Sequence, residues 1–118
     1  MSSNEYYDGK VHLRLSASRT ARGFKNKTIF ALESGTPIST YVAQESGRYE
    51  PKVGDLIKYA TLLNISLNWL LTGKGHPLEH LPNATLNEKA LFTKLIECEN
   101  EKYEINEKYN YLKSKSSS

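Results

Sequence analysis

Helix stops recur at short intervals along the first two-thirds of the chain: Gly23, Gly35, Gly47, Asn64 and Gly73. Each offers the left-handed backbone that closes a helix, so no helix between them can be long. The starts are marked too. Asn26 is placed to cap one helix, Thr36 a second with Pro37 at its favoured first position, and Ser66 a third. Helix 1 is expected over about 11–22 and helix 2 over about 27–34, with Phe30 and Ala31 facing inward. Helix 3 runs from Pro37 until Gly47 stops it. Helix 4 follows Pro51, with Val53, Leu56, Ile57, Ala60 and Leu63 at helical spacing, and helix 5 lies between Ser66 and Gly73.

The segment 74–83 contains Pro77 and Pro82 and reads as a connector. Thr85 and Glu88 then form a capping box, in which hydroxyl and carboxylate satisfy each other's free amides. The helix it starts is predicted to run over about 86–112. Leu91, Leu95, Cys98, Lys102, Ile105, Tyr109 and Leu112 step alternately by four and three residues, which is a heptad seam flanked by acids and lysines. The reading divides the chain into a flexible N-terminus (1–9), a helical domain (10–75), a linker (76–84), a dimerisation helix (85–113) and a disordered tail (114–118). The alternative for the last helix is that it folds back on the domain and the chain stays monomeric.

At 118 residues there is room for one small domain and an appendage. Apolar runs such as Leu70-Leu71 are too short to cross a bilayer, and the first residues show no export signal, so no membrane role is expected. Cys98, the one cysteine, cannot close an internal disulfide, which fits a reducing cytoplasm. Residues 1–75 hold ten Lys/Arg against six Asp/Glu, whereas 76–118 hold six against seven. Lys10, Arg14, Arg19, Arg22, Lys25 and Lys27 occur without an intervening acid. Such a run is ordinarily a solvated face. Beside a helix-turn-helix it becomes a candidate for contact with a polyanion.

Ala31 and Gly35, four residues apart, have the form of that motif. A small residue lets two helices approach, and a glycine turns the chain between them. Taken with Arg14-Leu15, Arg19, Gly23-Phe24, Ser39-Thr40-Tyr41, Glu45-x-Gly47-Arg48, Pro51 and Ser66-Leu67-Asn68-Trp69-Leu70-Leu71-Thr72-Gly73, the chain resembles the lambda-repressor-like helix-turn-helix family, the XRE-type regulators of bacteria and phage. The resemblance spans about half the chain. It implies a five-helix lambda-repressor-like domain and leaves both ends untouched; with the long, coiled-coil-like C-terminal helix read from the heptad seam, the expected fold is all-α. It further implies that Arg19 and Glu45 form an ion pair joining helices 1 and 3, whose disruption would cost about 3–5 kcal/mol. Trp69 belongs to the core.

The resemblance also implies DNA-reading positions. Ile38, Ser39, Val42 and Ala43 on helix 3 face the groove, Lys27 meets phosphate, and Arg48, Tyr49 and Lys52 clamp the backbone. This face departs from the family's usual polar one: Ile38, Val42 and Ala43 cannot hydrogen-bond a base, but they can touch thymine methyls. Specificity would then lean on A·T-rich sequence, on DNA shape, or on the flanking arginines.

His76-Pro-Leu-Glu-His80 matches an inverted zinc-protease motif, but prolines break it and no third ligand is evident, so no metal and no cofactor are expected. His12 reads as a surface residue of helix 1, and Cys98 as packing on the seam. No catalytic constellation is present and an enzyme is not expected. Relatives of this type often continue into a self-cleaving protease domain, for which this chain lacks room. The sequence therefore points to a cytoplasmic, bacterial or phage-encoded transcriptional regulator. It would be a homodimeric repressor binding double-stranded DNA at an inverted repeat. The rival reading is a protein-interaction adaptor or antitoxin-like regulator whose C-terminal helix engages a partner protein.

Overall fold

The computed structural model describes residues 9–98, and all their regular structure is helical. Five helices form the body: α1 (Val11–Ala21), α2 (Lys27–Ser34), α3 (Ile38–Glu45), α4 (Val53–Leu63) and α5 (Leu67–Thr72). A sixth, α6, covers 86–98 at the end of the described residues. The helix stops act as the sequence predicts, with Gly23, Gly35, Gly47, Asn64 and Gly73 all at positive φ. Asn26 caps α2 by accepting from the amides of Thr28 and Ile29, and Ser66 caps α5 through Trp69 N.

Thr36 does not cap α3. Its side chain turns inward, where its hydroxyl meets Tyr59 Oη at 3.1 Å and Ser34 Oγ at 3.1 Å. Pro37 occupies the cap position and leaves the first turn of α3 without a side-chain cap. In α4 the inward stripe is Leu56, Tyr59, Ala60 and Leu63, whereas Val53 and Ile57 are exposed. Tyr59 takes the place that periodicity assigned to Ile57, because its hydroxyl finds polar partners inside.

The core is built on Val11, Leu15, Phe30, Ala31, Tyr41, Leu56, Tyr59, Leu63 and Leu70. Phe24, Phe30, Tyr41 and Tyr59 meet edge-on or tilted, with centroids 5.1–5.7 Å apart. Such pairs add about 0.5–1.5 kcal/mol each beyond the area they bury.

The connector is folded onto this body. Ser66 N donates to Pro77 O at 2.7 Å, Leu78 is buried in the core, and the Glu79 carboxylate accepts from Ser66 Oγ at 2.6 Å and from Asn68. The capping box forms as predicted: Thr85 N donates to Glu88 Oε1 at 2.8 Å, and Glu88 N to Thr85 Oγ1 at 3.1 Å. From there α6 lies against the body through Phe92 and Ile96, both buried. The seam residues Leu91, Leu95 and Cys98 are exposed. Lys102, Ile105, Tyr109 and Leu112, with the first eight residues and the tail, lie outside the described residues.

Candidate nucleic-acid interface

The joint between α2 and α3 is the part of the fold that carries the site. Ala31 is fully buried there, and Gly35, at φ +75°, closes α2 and turns the chain. A side chain at residue 35 would meet nothing within 4 Å, so the glycine answers to backbone conformation and not to crowding.

Two buried polar networks hold α3 by its inner face. Glu45 is one hub. Its Oε1 accepts from Arg19 Nε at 2.7 Å and from Tyr41 Oη at 2.6 Å, and its Oε2 accepts from Arg19 Nη2 at 3.2 Å. Arg19 also donates to Phe24 O, joining the end of α1 to the same point. Burial, and then the neighbouring Glu45 charge, hold the Tyr41 phenol far above its ordinary range, so it remains a donor at any physiological pH.

Gln44 is the other hub. Tyr59 Oη donates to its Oε1, and its Nε2 donates to Asp55 Oδ2 at 3.0 Å. Through Tyr59 and Thr36 this network reaches back to the turn. Burial raises the Tyr59 phenol as well. Neighbouring side chains on one helix thus tie α3 to α1, α4 and the turn. Sequence alone assigns no role to Gln44 or Tyr59 and only that of a cap to Thr36, although Gln44 follows Tyr41 by three residues and so shares its inward face.

The outer face carries the residues implied by the resemblance. Ile38 and Ser39 are exposed, and Val42 and Ala43, one turn on, are half-buried. Arg48, Tyr49 and Lys52 are exposed just past the end of α3, with Arg48 Nε donating to Ser46 Oγ at 3.2 Å. Lys27 sits at the start of α2 with Nζ 3.6 Å from Glu45 Oε2. Half of its side chain is in solvent, so this contact is weak enough to yield to a phosphate.

The arginines of the basic run are engaged by the fold, Arg14 and Arg19 buried and Arg22 exposed, whereas Lys10, Lys25 and Lys27 are exposed. Arg14 donates to the carbonyls of Leu70 and Leu71, closing the end of α5. Arg22 donates to those of Leu63 and Asn64, closing the end of α4, and lies 4.6 Å over the Phe92 ring. With Arg19 on Glu45, all three arginines of the run join helices. Acid-free sequence misled here because helix ends supply carbonyl acceptors that no acidic residue announces.

His12 is half-buried and not a surface residue. Its ring lies 3.1 Å from where a side chain at Gly47 would begin, so Gly47 is needed for space as well as for its φ of +86°. The two histidines of the metalloprotease-like motif are separated in use. His76 Nε2 contacts Thr93 Oγ1 at 2.8 Å and Lys89 O at 3.1 Å on α6, while Nδ1 accepts from Leu78 N. His80 Nε2 meets Asn64 Oδ1 at 3.1 Å. Among the described residues no group of three or more His, Cys, Asp or Glu side chains is placed to hold a metal ion. Nor is any helix among the described residues long and apolar enough to cross a membrane.

An outward helix with a locked inner face, held across a tight turn from a second helix, defines a helix-turn-helix unit. The chain belongs to the helix-turn-helix domain family, whose model it matches over residues 17–76. That stretch takes in α1 from its middle, the turn, α3 and the whole of α4 and α5. Neither a curated protein nor a solved structure matches the chain.

Proposed function

We propose that the chain is a sequence-specific DNA-binding regulator, a dimeric repressor that sets α3 into the major groove of an inverted repeat. The observation that carries this reading is the two-sidedness of α3. Gln44 and Glu45 lock one face to the body, and Ile38, Ser39, Val42 and Ala43 stand together on the other. A helix entering a groove needs that combination, because phosphate and base contacts are made only if the helix cannot tilt. Lys27, Arg48, Tyr49 and Lys52 flank it and supply backbone contacts.

Dimerisation is assigned to the exposed Leu91, Leu95 and Cys98 stripe of α6 and its continuation at Lys102, Ile105, Tyr109 and Leu112. Two copies would place their α3 helices in successive grooves, about 34 Å apart. The test is to incubate the protein with fragmented genomic DNA at about 0.15 M salt, a physiological ionic strength, and sequence what is retained. An enriched inverted repeat is expected, its half-site spacing reporting the dimer. Retention with no enriched sequence overturns the reading.

A second reading is favoured by the same stripe. Leu91 and Leu95 border a groove of about 500 Å³ whose floor includes Leu78, Leu81 and Phe92. A partner protein seated there would make the chain an adaptor or antitoxin-like regulator. Stoichiometric co-purification of a second protein, lost on Leu91→Ser, would favour it.

A further inference from the structure

The chemistry of α3 narrows what a duplex must offer it; this rests on the reading of α3 as the helix that enters the groove. Guanine is read by Arg or Lys, adenine by Asn or Gln, and cytosine by Asp or Glu. Between Ile38 and Glu45 there is no arginine, lysine or asparagine. The one amide, Gln44, is fully buried with its oxygen and nitrogen engaged by Tyr59 and Asp55. The one carboxylate, Glu45, faces Arg19 and Tyr41. Every side chain on α3 able to discriminate bases by paired hydrogen bonds is therefore absent or turned inward.

What remains wholly or partly outward is the methyl surface of Ile38, Val42 and Ala43, the hydroxyl of Ser39, and Thr40, which is half-buried like Val42. The one apolar feature of a base pair in the major groove is a methyl on pyrimidine C5, which thymine carries and cytosine does not. Modified cytosine is different. 5-Methylcytosine presents a methyl on the same ring carbon and hence at the same place in the groove. The exchange also reverses the exocyclic donor and acceptor next to that methyl, which would exclude it from a site built on an amide or a guanidinium. Ile38, Val42 and Ala43 make no such bond. A serine hydroxyl can donate or accept, so Ser39 meets either arrangement.

We propose that α3 reads 5-methylpyrimidines: it selects duplexes by their thymine methyls and accepts 5-methylcytosine in thymine's place. A regulator of this kind would distinguish methylated from unmethylated DNA through a direct contact, without a dedicated methyl-binding pocket. Burying one methyl on an apolar face corresponds to about a four-fold change in affinity.

The experiment selects from three pools of randomised duplex: one with ordinary bases, one with deoxyuridine for thymidine, and one with deoxyuridine and with 5-methyldeoxycytidine for cytidine. The first is expected to yield a thymine-containing motif. The second should lose about four-fold for each thymine that α3 touches. In the third, affinity should return with 5-methylcytosine at the positions thymine held. Ile38→Ser, at an exposed position, should shrink the ratio between the first and second pools without loss of fold by circular dichroism.

The same motif at equal affinity from the uridine pool overturns the proposal. Loss in the second pool without recovery in the third overturns its 5-methylcytosine half. Failure to retain any duplex from any pool instead overturns the reading of α3 as a groove helix, so the two failures are distinct.

Discussion

Glu45 gathers contacts from α1, from its own helix and from the start of α2, and it does so almost wholly out of water. Removing one member of such a pair strands the other charge, so Arg19→Ala and Glu45→Ala should each destabilise by about 3–5 kcal/mol in urea unfolding. Replacing both by apolar residues of similar size should cost much less. Two exposed positions should separate positioning from reading. Arg48→Ala is expected to weaken binding to specific and random duplexes alike, whereas Ser39→Ala changes preference at one base pair. Equal losses on both kinds of DNA for both variants would refute that division.

His12 gives a pH dependence whose sign is fixed. Burial first, and the Arg14 charge second, hold its imidazole below the usual value of 6.5. The unfolded chain therefore takes up a proton that the folded chain resists. Stability is full above about pH 6.5 and falls as the pH drops through the lowered folded value. Urea midpoints at about pH 7.5 and 5.5 should differ less for His12→Gln than for the native chain.

At the scale of helices, α6 carries two apolar stripes set one residue apart. Phe92 and Ile96 face the body, held by Arg22 over the Phe92 ring and by His76 on Thr93. Leu91, Leu95 and Cys98 face out. Phe92→Ala should free α6, seen as fast amide exchange over 86–98 with protection kept in α1–α5. Leu91→Ser with Leu95→Ser should leave that protection intact and abolish dimers in sedimentation.

The helix boundaries were legible because glycines, Asn64 and capping side chains act locally, within a turn of where they stand in sequence. The heptad count found one stripe of α6 and passed over the other, since both alternatives satisfy a helical period. The candidate site on the outer face of α3 came from the family resemblance, and the exposure of Ile38 and Ser39, with Val42 and Ala43 half-buried, is what the structure adds. Apart from the Tyr41–Glu45 bond within α3, the clamps behind that face depend on partners eleven or more residues away, such as Asp55 for Gln44. No local pattern announces those.

The molecule as a whole presents fewer free cations to DNA than its composition suggests. Arg14, Arg19 and Arg22 donate to carbonyls or to Glu45. Lys25, Lys27, Arg48 and Lys52 are exposed cations flanking α3 in sequence, whereas Lys58, as near as Lys25, stands 3.8 Å from Asp55. A plot of log affinity against log salt should therefore slope no more steeply than about −4 per protomer, at roughly −0.9 per phosphate neutralised. A much steeper slope would mean that cations elsewhere join the interface.

The family match ends at residue 76, two residues before Leu78 enters the core and ten before α6 begins. A fragment ended at residue 76 would keep α3 and its clamps. It would also leave the Ser66 amide without Pro77 O and a hole where Leu78 sat, a loss of about 2–5 kcal/mol. What is shared with relatives and what is able to stand alone are thus different lengths of this chain. The extra length is the part that a dimer, or a partner protein, would hold in place.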